Sequence, residues 1–409
     1  MATILTIIPY PFYPPISGGA LRCFHILKEM SRQHMVYVLT CQPPEEFKAP
    51  DGTSLSPKIK FINFEERGHY KSIFNLLPLK LADAINHRII VRSFSSTANQ
   101  TLLRSYLTLN NLLRQVKFDI IYYEGLEALG LFRDIIHRSL PSAIHLYDAH
   151  NVDSVLWMQQ AKTQRCQKLA GYAQAALSLE KTLHKKVNAY FCCSEEDNIL
   201  LSELNGNNLT GTVIPNGVDI QERPFDDSKD KHLNRELLFC GSLDYLPNRE
   251  GLLWFYREVL PLVKDAMPTI KLNVIGNLLE TSAYQNLIED PAVNFLGRVE
   301  SVVPFYQTAG VSIAPLLSGS GTRLKILEAM SMGNPVVSTT VGAEGIACTH
   351  GENLLIGDTP EKFAENILSL LREEIQFNFI RTQAYNLVKG KYDWQRIGFA
   401  LRDTIKNLT

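Results

Sequence analysis

The sequence is short of several things that would have decided its class at once. Its seven cysteines include no CxxC pair and none stands at a metal-type spacing from a histidine, so zinc ribbons and dithiol redox motifs are excluded and a reducing compartment is expected. No apolar run approaches the roughly 18 to 20 residues that a membrane-spanning helix needs. The opening MATILTIIPYPFYPP lacks a basic start and is broken by Pro9, Pro11, Pro14 and Pro15, so no signal peptide is expected. A formal net charge of -1 gives no global drive towards nucleic acid. Neither phosphate motif of the common kind is present: GxxxxGK[ST] does not occur, and GSGTRL lacks the third glycine of a dinucleotide fingerprint.

What is present is a two-part α/β pattern. A chain of 409 residues exceeds what one core holds, so two domains are expected. The run ATILTII, the helical-period segment GALRCFHILKEMSRQ and the run MVYVLT form a βαβ unit and imply a parallel sheet. DIIYYE, AIHLYDAH and AYFCCS read as further buried strands. In the second half ELLFCGS, IKLNVIG, VNFLG, VSIAPL, NPVVST and NLLIG take that part, separated by helical segments such as EGLLWFYREVLPLVKDAM. Turn residues and dense charge over 212–237 mark the seam, and ligands are expected at the carboxyl ends of the strands, in a cleft between two doubly wound Rossmann-like halves. Residues 69–117 carry seven Lys or Arg against Asp83 alone, interleaved with apolar residues. They read either as a solvated helical insertion or as a peripheral membrane contact.

The stretch SGSGTRLKILEAMSMGNPVV, residues 318–337, holds the densest chemistry. A flexible glycine turn follows VSIAPL and precedes TRLKILEAMSM, which reads as a helix ending at Gly333. A helix N-terminus has unpaired N–H groups and favours an anion, and glycine lets the anion approach. Arg323 and Lys325 sit at that same end, opposite to the usual preference for acids there. The pattern points to a phosphate or diphosphate held by the two cations and the amides of Gly321 and Thr322. On a helix starting at Gly321, Glu328 shares a face with Gly321 and Lys325. It suits vicinal hydroxyls such as those of a ribose, or else pairs with Lys325.

These motifs, with TVIPNGVD, LLFCGSLDYLPNREG and VNFLGRVESVVPFYQTAGVSIAPL, resemble the family 4 glycosyltransferases, retaining enzymes of the GT-B fold, in the subgroup with GTRLKILEA in the donor helix. The first half resembles them more loosely, in PYPFYPPISGGALRCFHILKEMSRQHMVYVLTC and HLYDAHNVDS. The resemblance implies an acceptor-binding domain over 1–215, a nucleotide-sugar domain over 216–390, and a terminal helix over 391–409 that packs back on the first. It assigns Glu328 to the ribose. The family's first glutamate falls on Ser320, a departure that leaves the contact to the sugar open. After Gly241, Ser242 and Asn248 stand near the places where the family often has an arginine and a lysine, with Arg249 close by, so Arg323 and Lys325 are expected to supply that charge. Gly18 and Gly19 match a glycine-rich turn near the diphosphate, or are a plain left-handed turn. Gly276, Arg298 and Val299 resemble loops beside the nucleobase. His150 resembles a histidine facing acceptor and sugar, or is a hydrogen-bonded loop residue; Ser194 resembles a strand-end serine, or is an N-cap.

The function implied is transfer of a sugar from a nucleoside diphosphate, UDP- or GDP-linked, to an unknown acceptor, with no metal and no further cofactor. His150, Arg323 and Lys325 are the candidate catalytic residues, and a cytoplasmic location, at most peripheral at the inner membrane face, is expected. A non-catalytic nucleotide-sugar-binding subunit and a GT-B epimerase or phosphorylase are the alternatives.

Overall fold

A computed structural model describes residues 1–15, 17–42, 47, 56–63, 101–277, 284–319 and 321–408. Most of the basic segment 69–117 therefore lies outside the described residues, as does Ser320. The chain divides into two compact units, Met1–Ile214 with Gly398–Thr409, and Pro215–Ile397.

Unit 1 is built on a seven-stranded sheet of β1 (Thr3–Ile8), β2 (Met35–Thr40), β3 (Ile59–Asn63), β4 (Ile120–Glu124), β5 (Ile144–Ala149), β6 (Ala189–Cys192) and β7 (Thr210–Val213). The order is β3-β2-β1-β4-β5-β6-β7 and every pairing is parallel. Strands covered by helices on both faces read as continuous apolar runs, and all five residues of β4 are buried. Unit 2 has six parallel strands, β8 (Glu236–Cys240), β9 (Lys271–Ile275), β10 (Val293–Gly297), β11 (Val311–Ala314), β12 (Val336–Ser338) and β13 (Leu355–Ile356), in the order β10-β9-β8-β11-β12-β13. In both sheets the order reverses beside the first strand, the doubly wound arrangement in which ligands gather at the carboxyl ends on either side of the reversal.

Two strands escape the sequence pattern, β3 and β7, and both are sheet edges. β7, TGTV, has an exposed first residue and no fully buried one, so its hydrophobic signal is weak. The long helical segment after β8 is not a single α-helix: Leu246–Trp254 and Leu260–Ala266 are joined by a π-helical turn at Phe255–Val259. Pro261 follows that turn, and a proline inside a regular α-helix would remove a hydrogen bond and clash one turn back.

The residues after the seam are anchored within unit 2. Val218 N–H donates to Tyr392 O at 2.8 Å and Trp394 N–H to Val218 O at 3.2 Å. A Cβ on Gly217 would lie 2.6 Å from Tyr392 O and 2.5 Å from Ile397 Cδ1, so this close approach excludes a side chain. At the other end of the chain, helix Trp394–Leu408 brings Arg402 to Glu29 of helix Gly18–Ser31, an ion pair inside unit 1.

Candidate functional site

In unit 2 the loops after β8, β9 and β11 converge. Gly241 N–H donates to Ile275 O at 2.9 Å and Gly276 N–H to Gly297 O at 2.9 Å. A Cβ on Gly276 would fall 2.0 Å from Gly241 O, and one on Gly241 would lie 3.2 Å from Lys325 Nζ. Glycine is needed at both places for closeness of packing. Lys325 Nζ donates to Asn248 Oδ1 at 2.7 Å and stands 4.7 Å over the Phe239 ring, while Asn248 Nδ2 donates to Ser242 O at 2.8 Å. Burial pulls the Lys325 ammonium down to about 7, and the like charge of Arg323 acts in the same direction. Arg323, buried, donates from Nη1 to Gly321 O at 2.8 Å. Burial lowers its pKa as well, against the pull of Tyr245 and Glu344.

The helix begins later than the sequence suggests. It spans Leu324–Ser331, with Arg323 as N-cap and no side-chain cap. Gly321 has φ 81° and Gly319 φ 110°, left-handed values that keep residues 319–322 in a loop. Gly321 and Thr322 are therefore outside the helix, and the face imagined for Gly321, Lys325 and Glu328 is shared only by the last two. The buried Thr322 Oγ1 has no hydrogen-bond partner among the described residues. Tyr306 Oη donates to Lys325 O at 3.3 Å and steadies the first turn.

Glu328 does not pair with Lys325. Its Oε1 lies 2.9 Å from Arg223 Nη2, and burial raises its carboxyl while Arg223 opposes that shift. Arg298 is exposed and Val299 half-buried beside the core. Glu250 reaches the loop ahead of Ser320, accepting from Ser318 Oγ at 3.1 Å.

In unit 1, His150 follows β5 and donates from Nε2 to Glu124 Oε1, 2.6 Å away. Cys23 Sγ donates to the same oxygen at 2.9 Å, and Tyr10 Oη lies 3.4 Å from Cys23 Sγ. Burial would lower the His150 imidazolium, but Glu124 and Asp148 outweigh it and hold its pKa above the ordinary value. Cys23, Glu124 and His150 place three metal-type donor atoms within 4.8 Å of one another. The two contacts to Glu124 have the lengths of shared protons, shorter than the roughly 3.3 Å between ligands spread around a tetrahedral ion. Asp148 is taken by Arg22: Nε donates to Oδ2 at 2.9 Å and Nη2 to Oδ1 at 2.5 Å, with both side chains fully buried. Burial pushes the Asp148 carboxyl up, and the guanidinium pulls it below its usual range. Asp153 rises to about 7 through burial and the neighbouring Glu180 carboxylate.

Gly18 and Gly19 are not a turn. They are the first residues of helix Gly18–Ser31, capped by Ser17, and neither has positive φ. A Cβ on Gly19 would sit 3.2 Å from His150 Nδ1, so this glycine matters by letting the histidine ring close onto the helix. Ser194 is an N-cap, accepting from Asp197 N–H at 3.1 Å.

The structure thus brings Gly241, Ser242, Gly276 and Lys325 together, with Gly321, Thr322 and Arg323 along the adjoining loop, and in the other unit Gly19 with His150. Sequence reasoning passed over Arg223, Glu124, Cys23 and Glu250. Of these only Arg223 carried a signal, as a cation four residues after Asp219 in the seam.

Comparison with known proteins adds a profile described as Glycosyltransferase Family 4, matching residues 16–222, and one described as Glycosyl transferases group 1, matching residues 234–373. An uncharacterized 44.6 kDa protein in the cps region of Klebsiella pneumoniae is 29% identical over 194 residues, 46% of this chain and 50% of that protein. The chain spans about half the length of the curated relatives it matches. Among solved structures, sucrose-phosphate synthase from Thermosynechococcus elongatus superposes with a TM-score of 0.71 at 16% identity, covering 100% of this chain and 99% of that one. Anabaena HepE in complex with UDP-glucose does so with a TM-score of 0.66 at 14% identity, covering 100% of both. At these identities the likeness is one of fold.

Proposed function

The chain belongs to Glycosyltransferase Family 4, and from that premise we propose that it moves a sugar from a UDP- or GDP-linked donor to an acceptor hydroxyl, with retention at the anomeric carbon and without a divalent metal. One observation carries the reading: Arg323 and Lys325 lie side by side after β11 with both pKa values pulled down by burial, a place that gains from an incoming anion. Cleavage of the donor leaves negative charge on the diphosphate, and donors aimed at that charge are the largest source of rate in such a site. Two cations beside it take the part that a divalent ion would otherwise play. The HepE complex supports a uridine nucleotide as the first donor to test.

No carboxylate nucleophile is assigned. Retention then follows from attack on the face that the diphosphate leaves, with a phosphate oxygen receiving the acceptor's proton. His150, whose pKa Glu124 raises, is suited to hydrogen-bond an oxygen of acceptor or sugar. Thermal unfolding with UDP-, GDP- and ADP-sugars, with and without EDTA, tests the reading. At least one donor should raise the midpoint equally in both conditions; no rise with any of them rejects the donor site, and a rise lost with EDTA rejects metal independence.

A further inference from the structure

We propose that Arg223 is a positioning residue for the donor's ribose, acting through Glu328, whose carboxylate it orients towards the two vicinal hydroxyls. The proposal rests on the donor reading above and goes one residue further than it.

The geometry begins in the backbone. Asp219 Oδ1 accepts from Gln221 N–H at 3.0 Å and from Glu222 N–H at 3.3 Å, and Asp219 O accepts from Arg223 N–H at 3.2 Å. The chain is thereby turned just after its anchorage at Val218. It then runs past the far end of helix Leu324–Ser331: Asp226 N–H donates to Met332 O at 3.3 Å, and Phe225 packs where a Cβ on Gly333 would come within 2.8 Å. Arg223 is held on both sides, and its guanidinium is delivered to Glu328 Oε1. The Arg223 and Glu328 side chains are 21% and 18% exposed, so neither moves freely in water and neither is sealed off.

A carboxylate offers about four lone-pair sites and one guanidinium edge uses at most two of them. The remainder can accept from a vicinal diol. Burial raises the Glu328 carboxyl and Arg223 opposes that shift, which favours the ionised form with its full set of acceptors. Helix Leu324–Ser331 carries Lys325 and Glu328 on one face, so a nucleotide whose phosphate meets Lys325 has its ribose further along, towards Glu328 and Arg223.

The test is calorimetric binding of UDP, GDP, their 2′-deoxy counterparts and inorganic pyrophosphate to the full chain. The wild type should prefer a ribonucleotide over its deoxy form by about tenfold, one charge-assisted hydrogen bond. In Arg223→Gln that preference should fall close to one, as it should in Glu328→Gln, and the double variant should lose no more than either single one. Arg223→Lys should recover part of it. Pyrophosphate, which has no ribose, should bind the wild type and Arg223→Gln alike, an outcome that simple loss of structure would not give. Arg223→Gln with its ribose preference intact, or with pyrophosphate weakened in step with UDP, overturns the proposal. A wild type that binds UDP or GDP without ribose preference overturns it while sparing the donor site, and one that binds neither nucleotide overturns both.

Discussion

The two units share a strand order around their central strands but differ in the buried charge at their candidate sites. In unit 1 each functional cation faces a carboxylate: Arg22 meets Asp148, and His150 meets Glu124, so both pKa values are pushed up. In unit 2 Lys325 has a neutral amide oxygen as its partner, and both it and Arg323 are pulled down. A buried cation matched by a carboxylate is a finished piece of structure. Two buried cations whose pKa values burial pulls down are costly to keep charged, and an incoming anion offsets that cost.

That contrast can be broken in order of effect. Replacing Arg22 with Ala leaves Asp148 buried without its guanidinium and should cost about 3–5 kcal/mol of stability, read by denaturant unfolding. A loss below about 1 kcal/mol would show that the pair is not a structural tie. Arg323→Ala should leave stability nearly unchanged while weakening UDP or GDP binding by about 1.5–3 kcal/mol, measured by calorimetry; unchanged affinity removes Arg323 from the diphosphate. Lys325 sharpens the comparison through pH. Its pKa of about 7 means that above neutrality a diphosphate must bind together with a proton. Affinity should then fall by up to about tenfold per pH unit above 7, with proton uptake detected by repeating the titration in buffers of different ionisation enthalpy. Affinity independent of pH between 7 and 9 would mean that Lys325 does not meet the anion.

The smallest effect belongs to Glu124→Gln. His150 has a folded pKa raised above 6.5, so its contribution to stability is complete below 6.5 and is lost as pH rises through the folded value. The substitution should lower the His150 pKa in an NMR titration and flatten that part of the stability profile. An unmoved pKa would show that Glu124 is not its governing partner.

How much of this was legible beforehand depends on the range over which each feature is decided. The interior strands of both sheets could be read because continuous apolar runs announce burial on two faces. The edge strands β3 and β7 could not, since short strands with partly buried positions give a weak period, and β7 also holds Gly211. The start of the donor helix was misplaced by three residues: glycine followed by good helix formers gives no sign of a left-handed φ at Gly321. Gly18 and Gly19 were read as a turn, but they open a helix, and what comes close to Gly19 there is His150, 131 residues away in the chain. Glu328 was read either as a ribose contact or as a partner of Lys325; the pairing with Lys325 does not form, and Arg223, far back in the chain, takes that place.

Local order set the alternation of strands and helices, the seam near residue 215 and the gathering of Arg323, Lys325 and Glu328 within six residues. Propensity, hydrophobic period and turn chemistry act over a few residues, and one reading of the chain suffices for them. Which charge answers which other charge was decided only by folding. Arg22 reaches Asp148 across 126 residues and Lys325 reaches Asn248 across 77, because parallel sheets bring the ends of distant strands to one edge. Desolvation at that edge, which no sequence window contains, sets the protonation of the groups gathered there.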